Sequence, residues 1–208
     1  MGIVSIQRFS EYAVLGVWQI TESIEELLLN LRLTELEGVL LNKKSTDAKK
    51  KEWLACRNLL HLIENEPLEI YYDENGKPFL SDNRYNISMS HSSNYAALYL
   101  NQKNFAGVDI QKLKPSISAG AGFFLNDDEL IWVDIHDNLK MHLLWSAKES
   151  AFKYVGMNDL HFKKDIKLKP FDSNQNNLIT VTILSQGVTT NIQISYLFFE
   201  QYVLTWTI

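Results

Sequence analysis

The chain has 208 residues, enough for one large domain or two small halves, and its 46% hydrophobic and 12% aromatic content supplies a sizeable core. A formal net charge of −5 argues against a general nucleic-acid binder. A single cysteine, Cys56, excludes an internal disulfide and a Cys-rich zinc site and reads as a buried thiol.

The opening "MGIVSIQRFSEYAVLGVWQI" has no cationic segment followed by a long apolar one, so it does not read as a signal peptide. No run approaches the roughly 18 apolar residues of a membrane span. A cytoplasmic chain without membrane association is expected. Val4–Gln7 and Ala13–Gln19 read as short strands. "TESIEELLLNL" follows as a helix, capped by Thr21 or Ser23 with acids in its first turn. "STDAKKKEWLACRNLLHLI" is a second helix, and "EIYYDENGKPFL" is strand, turn, strand about Asn75-Gly76. "NISMSHSSNYAALYL" gives two strands around a Ser/Asn corner, and "FAGVDIQ" gives another.

Beyond it, "SAGAG" reads as a flexible joint. "LNDDELIWVDI" starts a helix in which Asn126 and Glu129 have the spacing of a capping box. A further helix holds Trp145. From Ile166 to Ile208 the pattern is nearly all strand, with turns at "DSNQNN" and "SQG". The order predicts an α+β fold of two halves, residues 1–102 and 103–208, joined near Asn101–Asn104.

Four stretches carry side chains suited to chemistry. In "LLWSAKESAFKY", helical spacing puts Trp145, Glu149, Phe152 and Lys153 on one face and Ala147, Ala151 and Tyr154 on the other. Glu149 and Lys153 also fit an ordinary surface ion pair, stabilising a helix by only about 0.3–0.5 kcal/mol. In "GVDIQ", alternation gives Asp109 and Gln111 a common face. Asp109 is either an acid on a solvent-facing strand or an oxygen ligand for a hard cation such as Mg²⁺. "SMSHSS" sets His91 among hydroxyls, and "KKSTDAKKK" is a basic run that reads either as a solvated helix end or as a phosphate clamp.

"GKP" (Gly76–Pro78), "ISMSHS" (Ile87–Ser92), "GVDIQ" (Gly107–Gln111) and "WSAKESAFKY" (Trp145–Tyr154), in this order, resemble the 4'-phosphopantetheinyl transferases. More closely, these stretches are similar to those of the long, pseudodimeric type that activates surfactin synthetase. The resemblance implies two similar α+β halves related by a pseudo-two-fold axis, with the active site between them. It implies transfer of the phosphopantetheine arm of coenzyme A, the co-substrate, to a serine of an acyl or peptidyl carrier protein. It further implies that Mg²⁺ is required and that adenosine 3',5'-bisphosphate leaves, and a pseudodimer is expected to act as a monomer.

By the same resemblance, Asp109 and Glu149 match the metal carboxylates, and Glu149 also the proposed base. Gln111 stands at a third metal-facing position. Lys153 matches a lysine on the phosphates, and Ser90 and His91 match contacts on the pyrophosphate side of coenzyme A. Lys77 and Pro78 match contacts near the adenine, and Lys50 a basic residue at the 3'-phosphate. Two positions depart from the pattern: Gln111 where the family often has Glu, and Gly122 where it often has a basic residue before the "FF" pair. A non-catalytic coenzyme A or carrier-binding module is the first alternative, and a nucleic-acid binder using the lysine run the second.

Overall fold

The computed structural model describes residues 2–66, 68–156, 160–172 and 176–208. Its contacts divide the chain into two units, Met1–Phe105 and Ala106–Ile208. Each unit joins one antiparallel sheet to one helix of 18 residues, an α+β arrangement in both halves.

In the first unit the strands are β1 (Ile3–Arg8), β2 (Ala13–Gln19), β3 (Ile70–Tyr72), β4 (Pro78–Leu80), β5 (Asn86–Ser92) and β6 (Tyr95–Asn101), in the order β1-β2-β6-β5-β4-β3. The helices are α1 (Ile24–Leu28), α2 (Glu35–Asn42) and α3 (Asp47–Glu64). Ser23 caps α1 in a capping box with Glu26. Thr46 caps α3, and Asn65 ends it in a left-handed conformation. Trp53, Leu54, Leu59, Leu60 and Ile63 of α3 bury against the sheet, where Val14, Trp18, Leu98 and Leu100 meet them. Helix α2 is a finding that the apolar pattern does not announce. It is short and interrupted by Gly38, and it is held by the Thr34–Glu37 capping box and by buried Glu37 paired with Arg57 at 3.0 Å.

The second unit contains β7 (Val108–Lys112), β8 (Ile166–Leu168), β9 (Leu178–Ser185), β10 (Val188–Phe199) and β11 (Tyr202–Thr207), in the order β7-β11-β10-β9-β8. Its helices are α4 (Ala121–Phe124), α5 (Asp127–Leu130) and α6 (Asn138–Val155). The segment expected to be a flexible joint is instead a 3₁₀ turn, Ser118–Gly120, running into α4. The Asn126–Glu129 capping box forms, but the helix it starts ends at Leu130. The turn at "SQG" closes the β9–β10 hairpin, with Gln186 and Gly187 both at positive φ. The turn expected at "DSNQNN" falls in part on residues 173–175, outside the described residues.

Helix α6 packs across β7 and β11 and carries the core of this unit through Met141, Leu143, Leu144, Ala147 and Ala151. Gly107, just before β7, lets the strand approach the helix backbone. A Cβ there would lie 2.1 Å from the Ser150 carbonyl oxygen. Among the described residues no helix is long and apolar enough to cross a membrane.

Candidate active site

The close approach at Gly107 fixes what faces what. Asp109, two residues on, is buried under α6 at 5% exposure. Its Oδ1 accepts from Lys153 Nζ at 2.8 Å and its Oδ2 from Ser146 Oγ at 2.9 Å. Lys153 Nζ also donates to the Val108 carbonyl at 3.1 Å. Asp109, Glu149 and Lys153 therefore form one charged cluster. Glu149 feels it directly: burial first, then the Asp109 carboxylate, push its pKa up, and the Lys153 ammonium pulls it partly back.

Two carboxylates brought together under one helix, with one ammonium beside them, fit a divalent cation. The donors are hard oxygens, and Mg²⁺ is bound through one or two carboxylates plus phosphate and water oxygens. Among the described residues there is no group of three or more His, Cys, Asp or Glu side chains that could hold a metal without such help. Gln111 is half-buried on the same strand, and its side-chain nitrogen lies 3.5 Å from the Lys112 carbonyl oxygen.

Trp145 and Phe152 share the Glu149 stripe but turn their rings to one another's neighbours. Trp145 meets Phe162 at 5.1 Å and Phe124 at 5.3 Å between ring centroids, and Phe152 meets Phe162 at 6.1 Å. Exposed Phe123 lies over the same cluster. Lys148, adjacent to Glu149, points the opposite way and is fully buried. Its Nζ donates to the Phe124 and Ile166 carbonyls, each at 2.7 Å, and to Glu129 at 2.8 Å. It ties α6 to the segment bearing Phe123, so the Lys of "KES" holds structure rather than ligand.

The remaining predicted site residues belong to the first unit. A cavity of about 420 Å³ is lined by Lys44, Lys49, Trp53, Pro78, Met89 and His91, among others, with Glu52 its one acid among the described residues. His91 Nδ1 lies 3.1 Å from Glu52 Oε2. Strand alternation separates His91, which is exposed, from Ser90, which is buried. Lys77 sits in the β3–β4 turn, whose Asp73 carboxylate accepts from the Lys77 amide at 2.8 Å. Its ammonium lies 4.8 Å from the Phe105 ring centroid, and burial lowers its pKa against the pull of Asp73. Lys50 is not part of the cavity wall; its Nζ is 3.9 Å from Asp47 Oδ1.

Sequence reasoning did not single out Lys44, Lys49, Ser146 or Thr205. The first two were hidden in a run of equivalent lysines. The hydroxyls become legible only when β7, β11 and α6 are packed. A larger cavity in the first unit, about 800 Å³, contains none of the predicted site residues.

Residues 106–207 match the family model of the 4'-phosphopantetheinyl transferase superfamily. The chain is also similar to two curated relatives, the 4'-phosphopantetheinyl transferase AcpT of Escherichia coli O157:H7 and that of Escherichia coli strain K12. Each is 34% identical over 116 residues, covering 52% of this chain and 59% of the relative. The match thus spans less than two thirds of the curated relatives' length. The matched region, residues 106–207, is the one that holds Asp109, Glu149 and Lys153 together, and it is this half of the chain that is similar to the 4'-phosphopantetheinyl transferase superfamily.

Proposed function

We propose that this protein transfers the 4'-phosphopantetheine arm of coenzyme A to a serine hydroxyl of an acyl or peptidyl carrier protein. The observation that carries the reading is the Asp109–Lys153–Glu149 cluster, built on β7 and α6 inside the superfamily region. In the reaction the serine oxygen attacks the phosphorus that bears the pantetheine arm. The bond to the bridging oxygen breaks, and adenosine 3',5'-bisphosphate leaves. Such displacements depend on in-line positioning and on neutralising phosphate charge.

Asp109 and Glu149 would hold Mg²⁺, with Gln111 a further oxygen donor. Bound there, the ion supplies charge neutralisation and polarisation at the pyrophosphate. Glu149 accepts the serine proton, directly or through a water. Its raised pKa makes it a better base than an ordinary carboxylate while it is ionised. Lys153 fixes Asp109 and offers positive charge to the phosphates. In the first unit, Lys44, Lys49 and His91 give an acidic protein the local basic wall that a coenzyme A phosphate needs, with Pro78 and Met89 as apolar surface for the base. We take the protein to act as a cytoplasmic monomer.

The test is mass spectrometry of an apo carrier protein after incubation with coenzyme A and Mg²⁺. The phosphopantetheine adduct is expected, and EDTA should prevent it. Coenzyme A binding without any adduct on fatty-acid, polyketide or peptide carriers would favour a binding module instead.

A further inference from the structure

Four buried groups under α6 form a chain that the proposed chemistry does not by itself require. Thr205 of β11 stands directly across the ladder from Asp109 of β7. Ser146 and Ser150, one helical turn apart on α6, meet it from above. The Thr205, Ser146 and Ser150 side chains are completely buried. Ser146 Oγ is 2.9 Å from Asp109 Oδ2 and 3.0 Å from Thr205 Oγ1, and Thr205 Oγ1 is 2.6 Å from Ser150 Oγ.

Hydrogen counting gives this chain a direction. A carboxylate oxygen only accepts, so Ser146 spends its one hydrogen on Asp109. In its contact with Thr205, Ser146 can then only accept. A hydrogen bond between these two hydroxyls therefore has Thr205 as its donor, in competition with the Ser146 carbonyl oxygen at 2.9 Å and Ser150 Oγ at 2.6 Å for the same hydrogen. Ser150 in turn donates to Thr205, through the hydroxyl or through the Thr205 carbonyl oxygen at 3.0 Å. With the hydroxyl acceptor taken at both links, donors run from Ser150 through Thr205 and Ser146 to the carboxylate, and hydrogen bonds in series reinforce one another. An alanine or valine would fill each of these places without any buried polar group to satisfy. With Lys153 on Oδ1 and Ser146 on Oδ2, the carboxylate plane is held from both sides.

We propose that Ser146, backed by Thr205 and Ser150, is a positioning residue that sets the orientation in which Asp109 meets a divalent cation. This rests on the reading of Asp109 as a cation ligand. Partners that orient a metal ligand commonly govern affinity by about 10–100-fold.

The experiment titrates Mn²⁺ into the full-length protein with coenzyme A present and no carrier, following free Mn²⁺ by electron paramagnetic resonance. Ser146→Ala should weaken Mn²⁺ binding about 10-fold, at the low end of that range. Thr205→Val should weaken it less, while Thr205→Ser, which keeps the hydroxyl, should bind as wild type does. In turnover, Ser146→Ala should raise the Mg²⁺ concentration for half-maximal rate and leave kcat at saturating Mg²⁺ nearly unchanged.

Wild-type Mn²⁺ affinity in both Ser146→Ala and Thr205→Val would overturn the proposal. Equal weakening in Thr205→Ser and Thr205→Val would overturn it too, because packing rather than the hydroxyl would then be responsible. Asp109→Ala is titrated alongside. If that variant also keeps its Mn²⁺ affinity, the cation-site reading itself fails; if it alone loses affinity, only the positioning role fails. Should Ser146→Ala melt much earlier than wild type, the Thr205 pair decides.

Discussion

The Lys153 ammonium lies 2.8 Å from Asp109 Oδ1, and the same ammonium lowers the cost of charging Glu149 one turn before it on α6. One cation thus serves two carboxylates carried by different elements. An isolated Glu–Lys pair at helical spacing would serve only one carboxylate, and its removal would cost only a few tenths of a kcal/mol.

Removing either carboxylate should therefore do more than remove a surface charge. Asp109→Ala and Glu149→Ala are each expected to lower transfer by about 100-fold or more, since metal-site charge stabilisation is worth several kcal/mol. Circular dichroism should show both variants folded. Near wild-type turnover in both would remove the site from these residues.

Lys153→Ala leaves Asp109 and Glu149 without their shared counter-charge. A loss of roughly 10–100-fold in kcat/KM for coenzyme A is expected, equivalent to about 1.4–2.8 kcal/mol. Lys153→Arg should recover part of it, because the charge returns with a different reach and shape. Steady-state kinetics at varied coenzyme A separates the cases. An alanine variant with unchanged constants would return Lys153 to the class of ordinary surface lysines.

The sequence was informative wherever period and punctuation agreed. Strand β2 appears at its expected bounds, and the Asn126–Glu129 box forms as read. The pairing of Asp109 with α6 could be anticipated only as a resemblance, because it depends on Gly107 admitting a helix carbonyl where any side chain would collide. Alternation placed Asp109 on a polar face, but that face is buried by a helix and not wetted. Helix α2 escaped because its stabilising partner, Arg57, is 20 residues away from Glu37. The lysine run illustrates a different limit. Composition marks it as basic, yet only three-dimensional packing separates the lysines that line the cavity, Lys44 and Lys49, from Lys50 beside Asp47.

That separation predicts unequal effects within the run. Lys49→Ala and Lys44→Ala should raise the KM for coenzyme A about 3–10-fold, as expected for losing one partly exposed charge on a phosphate. Lys50→Ala should have a smaller effect. Dephospho-coenzyme A used as substrate should narrow the difference if the lost contact is to the 3'-phosphate. The reverse ranking, with Lys50 dominant, would mean that the lysines rearrange around the nucleotide.

Gln111 offers an oxygen without charge. Affinity for a hard cation rises with ligand charge, so Gln111→Glu should lower the Mg²⁺ concentration needed for half-maximal rate. The rate at saturating Mg²⁺ should change little, because phosphate and water oxygens would complete the shell of a bound ion. A Mg²⁺ titration at fixed coenzyme A is the measurement. Superimposable curves would mean that residue 111 does not face the ion.

Glu149 links the site to stability. Its pKa is raised, by burial and then by Asp109, so the folded protein holds this proton more tightly than the unfolded chain does. The stability that the proton contributes is fully present below the ordinary glutamate range. It is lost as pH rises from that range through the raised value of the folded state. The EDTA-treated protein should therefore lose thermal stability over this window, in addition to any changes from other groups. Glu149→Gln keeps the shape and removes the charge. It should flatten that part of the profile and raise Tm at neutral pH, by roughly 2–4 °C for each kcal/mol relieved in a chain of this size. Mg²⁺ with coenzyme A should then stabilise wild type more than the variant, since only wild type has the second carboxylate to be neutralised. Thermal denaturation of both proteins across pH, with and without these ligands, reads all three effects. If the two metal-free profiles coincide at every pH, Glu149 is not under the repulsion that the cluster imposes, and its role as a base of raised pKa goes with it.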